Sequence, residues 1–436
     1  MIEKLRARLA RHEFLKHVLQ LMSGTAVAQV IPLATAPIIS RLYTDHEVGV
    51  FQLFVSFAAV LITVATGRYS LAIVLPKQES DARAVAKLSQ RVSLWVCLIG
   101  GLLLLVLAEP ISQWTNTPEI RWWLPFTGVF AWAYAQVEIY YYWCNRHRQY
   151  ATMGTNRIVQ AASNYGSQIG FGVFRLGPFG LIFSTFFGQV LGALLLRRKV
   201  GRELRDQPVG STREMAVKYK KMPLLNAPTA LMDNIRLEGA NWMMAAMFST
   251  AALGHFGWAW RLLQTPAALI NSSLSQVFYK ELAITPRGHM FSLVRRSVIR
   301  SFVIGVAPFT AIYLLSPWLI PFVLGEKWAL AGVIGQMLVP WLYMNFITSP
   351  ISTLFLVTQR QGLLFWYAIP LTATPFVVFS IWHADIVSGV LALSLAMAGM
   401  LVIYLGLAFV VAHQYDRGFG ADIDVTGTSK VEAAEE

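Results

Sequence analysis

Charged side chains and cysteines are scarce in this chain of 436 residues. Charged residues make up 14% of it and hydrophobic residues 56%, whereas soluble domains have about 25% charged and about 45–50% apolar residues. The two cysteines, Cys97 and Cys144, lie inside apolar segments, so a disulfide framework is excluded. Cys144 and His147 have a Cys-x-x-His spacing, but the other ligands of a metal site are missing nearby. We therefore expect neither a metal nor a cofactor.

Long polar stretches are also few, and apolar runs fill most of the chain. A lipid-spanning helix needs about 20 mostly apolar residues. Such runs predict an all-α integral membrane protein with about twelve transmembrane helices. The predicted spans lie near residues 18–40, 49–75, 92–109, 122–143, 158–174, 179–196, 228–248, 252–278, 299–324, 329–357, 363–382 and 387–412.

The positive charges alternate from one connection to the next. With the N-terminus placed in the cytoplasm, 29 of the 36 Lys and Arg residues fall in inner connections and 4 in outer ones. This bias follows the positive-inside rule and predicts an even number of spans with both termini in the cytoplasm. It also explains the net charge of +13 without nucleic acid, which we do not expect as a partner.

The N-terminal segment has the composition of an anchor. Met1–Lys16 is basic, and the apolar run that follows is long and has no convincing small-residue cleavage site. We therefore expect this segment to be retained in the membrane and not removed as a signal peptide.

Two stretches of the chain are similar at a constant offset of 205 residues. Each stretch precedes the second helix of its half, which predicts two parallel repeats of six helices. Chance similarity between two amphipathic turns is the alternative. The matched pairs are Tyr43 with Phe248, Thr44 with Ser249, Gly49 with Gly254, and Phe51 with Phe256.

The repeat gives a domain organisation. We predict an N-terminal lobe over residues 1–200, a basic cytoplasmic loop over 201–227, a C-terminal lobe over 228–415, and a disordered acidic tail over 416–436. Parallel repeats of this kind commonly place a substrate path between the two lobes.

The seventh segment carries an unusual number of polar side chains for a membrane helix, namely Asp233, Asn234, Arg236, Glu238 and Asn241. On a helix, Asn234, Glu238 and Asn241 fall on one face. Asp233 and Arg236 are three residues apart and could form an ion pair. Because charges inside a bilayer are costly, this face is expected to line an aqueous cavity. An ion pair that only fixes helix packing is the alternative.

Three further charged residues lie in predicted spans, namely Arg68, Arg261 and Glu138. Arg68 and Arg261 lie on the second and eighth helices, which correspond in the repeat. The planar guanidinium groups of Arg68, Arg236 and Arg261 suit the binding of phosphate, although arginines can also extend toward lipid headgroups. Glu138 could bind a coupling ion or a proton, or could hydrogen-bond to nearby tyrosines.

Five stretches of the chain have the character of family motifs. They are LMSGTAVAQVIPLATAPIISRLYT at 21–44, VGVF at 48–51, ATGRYSLAIVLP at 65–76, YKKMPLLNAP at 219–228 and QVFYKE at 276–281. These stretches resemble motifs of Wzx-type oligosaccharide-lipid flippases, which are the polysaccharide exporters of the multidrug/oligosaccharidyl-lipid/polysaccharide (MOP) superfamily. The resemblance covers about residues 15–290 by motif.

The resemblance implies two six-helix lobes, as in MATE transporters, and alternating access. It implies a polyprenyl-pyrophosphate-linked oligosaccharide as cargo, such as a repeat unit of O-antigen, lipopolysaccharide or exopolysaccharide. It also implies a bacterial inner membrane, contact with membrane lipids and with polysaccharide polymerase machinery, and arginines that line a cationic cavity. The charged seventh helix departs from the family pattern, so its role is expected to be specific to the cargo of this chain.

Two other functions remain open at this point. A cation-coupled multidrug exporter of the same superfamily would favour a cavity rich in carboxylates, which Asp233, Glu238 and Glu138 could supply. A membrane-embedded glycan polymerase or transferase would need a large catalytic loop, and the outer connections here are too short to provide one. We therefore expect a transporter and no enzymatic activity.

Overall fold

A computed structural model describes residues 24–205, 210–358 and 360–418, and this part of the chain is helical throughout, without strands. The first half contains α1 Gly24–Leu42, α2 Asp45–Val64, α3 Glu79–Val106, α4 Ala108–Trp114, α5 Ile120–Trp123, α6 Phe126–Arg146, α7 Tyr150–Val173, α8 Pro178–Arg205 and α9 Thr212–Lys218. The second half contains α10 Ala227–Met247, α11 Thr250–Ile284, α12 Met290–Leu324, α13 Ala329–Met337, α14 Val339–Thr348, α15 Leu354–Val357, α16 Gln361–Ile381 and α17 Ile386–Asp416.

Each of the twelve predicted spans overlaps helical structure in the described residues. In the described residues, seven helices are long and apolar enough to cross a membrane, and the bent pair Glu326–Met337 and Val339–Val357 makes an eighth candidate. The long helices α6, α7, α10 and α11 are not in this set, and at least three of them carry inward polar groups such as Glu138, Asn156 and Glu238. The chain is therefore a multi-pass membrane protein, while the number twelve stays a prediction.

Several predicted boundaries were wrong. The second span was predicted to reach residue 75, but α2 ends at Val64 and a 3-10 helix covers Tyr69–Val74. The cause is the turn between them, where Gly67 and Arg68 adopt φ angles of 55° and 60°, a left-handed conformation that ends a helix. The tight turn predicted after the fifth span is confirmed, because α7 ends at Val173 and α8 begins at Pro178.

By packing, the described chain divides into two compact units. The first comprises Met1–Gly257 with Val323–Gly325, and the second comprises Trp258–Phe322 with Glu326–Glu436. The helix α10 belongs to the first unit because it packs along α2, although the sequence assigned it to the C-terminal lobe. The predicted lobe boundaries themselves stay a prediction, and the N-terminal anchor segment and most of the predicted tail lie outside the described residues.

Asp416 was predicted to begin the disordered tail, and this was wrong. It is the last residue of α17, and its carboxylate accepts hydrogen bonds from the backbone N–H groups of Gly288, Met290 and Phe291 at 2.8–2.9 Å. These N–H groups lie at the start of α12, where a helix has no partners of its own for them. The carboxylate therefore caps α12 and ties it to the end of α17.

We expect Asp416→Ala to destabilise the second unit. Loss of a helix cap costs about 1–2 kcal/mol, so the purified protein should unfold at a temperature several degrees lower in a thermal scan. Asp416→Asn keeps an acceptor and should have a smaller effect. Arg417→Ala, at the exposed neighbouring residue, is the control, and equal melting of the two alanine variants would contradict the capping role.

Candidate substrate site

Helices α2 and α10 pack against each other in antiparallel directions within the first unit. Near the middle of this seam, the rings of Phe57 and Trp242 stack with centroids 5.2 Å apart. Gly49 lies against Thr250 at one end of the seam. Arg68 and Asp233 line one pocket at the other end. The two ends of α2 therefore have different surroundings, one closed by backbone contact and the other open and charged.

The closed end is a crossing of the first helical turns of α2 and α11, Asp45–Gly49 and Thr250–Gly254, which are related by the repeat. A Cβ atom on Gly49 would overlap the carbonyl oxygen of Thr250, and one on Gly254 would overlap the carbonyl oxygen of Asp45. Asp45 and Thr250 are themselves 205 residues apart, so the two contacts are reciprocal. We call these four residues, Asp45, Gly49, Thr250 and Gly254, the glycine crossing.

The helix caps beside the glycine crossing are related by the same offset of 205 residues. Thr44 caps α2 by accepting a hydrogen bond from the Glu47 N–H, and Ser249 caps α11 by accepting one from the Ala252 N–H. The internal repeat predicted from the sequence is thus present here in helix start, cap and contact.

Polar side chains reinforce the glycine crossing. His255 Nε2 lies 3.4 Å from an Asp45 carboxylate oxygen. The hydroxyl groups of Thr117 and Thr250 are 2.6 Å apart and buried. These contacts stabilise the closed arrangement of the turns by specific bonds as well as by close approach.

The open end contains a pocket of about 300 Å³ at the carboxyl end of α2. A π-helix over Met222–Asn226 leads into α10 beside it, and such wide turns often occur at functional sites. The volume of the pocket would hold roughly ten water molecules at about 30 Å³ each, which is enough for a diphosphate group. The lining residues are Arg68, Leu225, Asn226, Thr229, Ala230 and Asp233.

Arg68 is held in this pocket in an unfavourable backbone conformation. Its φ of 60° costs about 1–3 kcal/mol for a residue other than glycine, and such residues cluster at functional sites. Its Nε atom is buried and has no hydrogen-bond partner among the residues that the structure describes. A positive group that is strained and incompletely hydrogen-bonded is suited to receive an anion.

Glu138 lies close to this cation. Its carboxylate accepts a hydrogen bond from the Ser70 hydroxyl at 2.8 Å, and Arg68 interacts with it electrostatically. Glu138 is therefore hydrogen-bonded to a serine, whereas tyrosines were the alternative expected from the sequence.

The polar residues of α10 form local pairs. Asp233 and Arg236 are 3.7 Å apart as an ion pair, as their spacing predicted. Asn241 donates a hydrogen bond to Glu238 at 2.8 Å, and Asn234 is half-buried. Of these residues only Asp233 lines the pocket that contains Arg68. Arg236 does not line it, but is ion-paired with Asp233.

Arg261 belongs to the second unit, where its guanidinium lies over the Trp258 ring at 5.3 Å from the centroid. At the repeat offset it corresponds to Ser56 and not to Arg68. Arg68 and Arg261 are therefore not equivalent positions of the repeat. That Arg68, Arg236 and Arg261 face one cavity stays a prediction.

The predicted fifth span, 158–174, begins one residue after Arg157, whereas α7 begins at Tyr150, so Arg157 lies in the second turn of this helix. It donates a hydrogen bond to Thr25 and lies over the Tyr141 ring at 5.6 Å. A sequence signal for this helix exists in four amide side chains at intervals of four residues, Asn156, Gln160, Asn164 and Gln168. Their side chains form hydrogen bonds within α7 and to α8, so this helix turns a polar face inward.

Comparisons with known proteins agree with the helical architecture. A family model described as "Polysaccharide biosynthesis protein" matches residues 38–332, which is more than half of the chain. No curated protein matches the sequence.

Several solved structures have a similar fold at low sequence identity. The lipid II flippase MurJ in an inward closed conformation shares 13% identity, with a TM-score of 0.67 over 91% of this chain and 90% of that one. An inward-facing multidrug resistance MATE transporter of the MOP superfamily shares 13% identity, with a TM-score of 0.62 over 92% and 98%. A MOP superfamily transporter from Pyrococcus furiosus shares 15% identity, with a TM-score of 0.54 over 92% and 93%.

Proposed function

Because the chain belongs to the family of polysaccharide biosynthesis proteins, we propose that it is a flippase for a lipid-linked oligosaccharide. Its cargo would be a polyprenyl-pyrophosphate-linked repeat unit of a surface polysaccharide such as O-antigen. It would carry this cargo from the cytoplasmic to the outer leaflet of the bacterial inner membrane, with both of its own termini in the cytoplasm. Polymerase machinery would then use the transported unit.

The observation that carries this proposal is the Arg68 pocket. The pyrophosphate is the most strongly charged part of such a cargo, and a guanidinium presents donors that match phosphate oxygens. Arg68 is strained, and its buried Nε has no partner within the part of the chain that the structure describes, so an entering phosphate would satisfy a donor that now lacks a bond.

The glycine crossing supports transport by alternating access. It closes the beginning of α2 while the pocket lies at the other end of the same helix. We propose that the pocket binds cargo on the cytoplasmic side while the crossing is closed. The crossing would then separate to release the cargo outward, without the making or breaking of a covalent bond.

The test is loss of export in cells that lack the gene and have no second flippase. Surface polysaccharide should disappear and lipid-linked repeat units should accumulate on the cytoplasmic side, and a plasmid copy should restore both. Normal surface polysaccharide with normal levels of lipid-linked intermediates would overturn the proposal.

A cation-coupled multidrug exporter is a second candidate, and the position of Glu138 beside Arg68 favours it. A half-buried carboxylate within a membrane protein could couple transport to protons or sodium ions. In that case the deletion strain should become sensitive to cationic drugs, and Glu138→Gln should fail to restore resistance. Unchanged drug sensitivity together with lost polysaccharide would exclude this function.

A further inference from the structure

We propose that a second surface of the first unit binds the isoprenoid chain of the cargo, a site that rests on the flippase function proposed above. The site is a groove between α3 and α6, and α8 completes the wall of one of its two cavities. It consists of two adjoining cavities of about 340 and 350 Å³, which share Leu94 and Trp132 in their walls. We call it the α3/α6 groove.

The groove exists because two glycines bring the helices together. A Cβ atom on Gly128 would lie 2.6 Å from the carbonyl oxygen of Cys97 and 3.0 Å from the Cα atom of Gly101. Small residues allow membrane helices to approach closely. The larger side chains on both sides, Leu98, Leu102 and Val129 among them, then stand as walls with about half of their surface exposed.

The two ends of the groove differ in polarity. One cavity is lined by Lys87, Gln90, Gln136 and Arg197 as well as apolar groups, whereas the other is almost entirely apolar and extends to Leu105 and Pro125. Lys87 precedes the predicted third span and Arg197 follows the predicted sixth, so both belong to the predicted cytoplasmic interface. The groove therefore offers cations to the phosphate of a polyprenyl lipid docked at this surface, before its diphosphate enters the Arg68 pocket, and it offers hydrocarbon to the chain.

The length of the groove selects among lipids. From Lys87 to Leu105 the helix α3 rises about 27 Å at 1.5 Å per residue, close to the hydrocarbon thickness of a bilayer of about 30 Å. A phospholipid chain occupies one leaflet, or about half of that thickness. A polyprenyl chain is long enough to follow the groove through both leaflets, so we assign the groove to a polyprenyl phosphate or pyrophosphate.

Adjacent leucines on α3 provide a matched test. Leu102 and Leu103 are 54% and 56% exposed, but only Leu102 lines the groove. Leu102→Trp should fill the groove, while Leu103→Trp adds the same bulk outside it. Displacing about two methylene groups from contact should weaken chain binding about tenfold.

The measurement is binding of a long-chain polyprenyl monophosphate to the purified full-length protein in lipid nanodiscs, by native mass spectrometry. Affinity should fall in Leu102→Trp and stay at the native value in Leu103→Trp. Val129→Trp, on the opposite wall, should show the same loss of affinity. A folding defect at position 102 alone would then not explain the result. Lys87→Ala with Arg197→Ala should also weaken binding, whereas Arg198→Ala, at an exposed neighbour, should not.

Two results would overturn the assignment. One is equal affinity in Leu102→Trp and Leu103→Trp. The other is phosphatidylglycerol that binds as tightly as the polyprenyl lipid and is equally sensitive to Leu102→Trp, because an ordinary phospholipid would then be the occupant. Normal export in the gene deletion would remove the flippase function, but it leaves the binding measurement unaffected, so the two failures are distinguishable.

Discussion

Cells that carry Arg68→Glu as their only copy should lose surface polysaccharide. The substitution places a negative charge in the 300 Å³ pocket that we assign to the pyrophosphate, and like charges repel. Removal of a single charge-assisted hydrogen bond costs about 1.5–3 kcal/mol, which corresponds to roughly a ten- to hundredfold loss of affinity. The loss of affinity in Arg68→Glu should be larger than this. Arg68→Lys keeps the charge without the planar donors, so its affinity should lie between those of the native protein and Arg68→Glu.

The left-handed backbone of Arg68 allows binding to be separated from folding. Glycine adopts a φ of 60° without strain, so Arg68→Gly should melt at or above the temperature of the native protein while export is lost. Lys77→Glu, an exposed cation nine residues along the chain, serves as the control for charge alone and should export normally. Normal export by Arg68→Gly would show that the guanidinium does not hold the cargo.

The second large effect is expected at the glycine crossing. A valine side chain at Gly49 or Gly254 cannot occupy the space filled by the opposite carbonyl group, so the turns must separate and the closed state is lost. Transport that needs both states should then fall below detection for either variant. Gly257→Ala is the matched control, because a Cβ atom there would contact only the Gln52 side chain at an ordinary 3.4 Å.

The rate at which a reagent labels a cysteine can measure the separation of the glycine crossing directly. With Cys97 and Cys144 replaced by serine, Phe57→Cys places a thiol on the α2–α10 seam opposite Trp242. A membrane-impermeant maleimide added outside intact cells should label this thiol slowly, and several-fold faster when Gly49→Val is also present. Equal labelling rates would mean that the crossing does not close the outer path.

The helices could be predicted from the sequence because lipid demands long apolar segments. Arg68 and Asp233 could be named as candidate residues, but the pocket that they share could not be predicted. The end of α2 shows why. Gly67 is a signal for a helix end. However, the stretch that follows, SLAIVLP at 70–76, is apolar, so a criterion based on long apolar runs continues the span past this glycine. Arg68 was therefore placed inside a span, although it lies in a turn.

Contacts over long sequence separations set the remaining features. The pocket joins Arg68 to Asp233, and their proximity depends on the packing of α10 along α2, which no local pattern encodes. Leu102 and Leu103 illustrate the same limit, because they are indistinguishable in sequence and only the position of α6 makes one of them part of a groove. For the glycine crossing, the fixed offset predicted that Gly49 and Gly254 are equivalent, but not that their two stretches are in contact.

The reciprocal geometry of the glycine crossing has the form of an isologous interface, in which residue i meets j and residue j meets i. A half-length chain with one such turn could make the same contact with a second copy of itself. In that dimer any substitution would appear on both sides at once, so only residues compatible with their own image could persist. In the fused chain each glycine is free to vary separately, yet each still faces the carbonyl group that its counterpart's turn supplies.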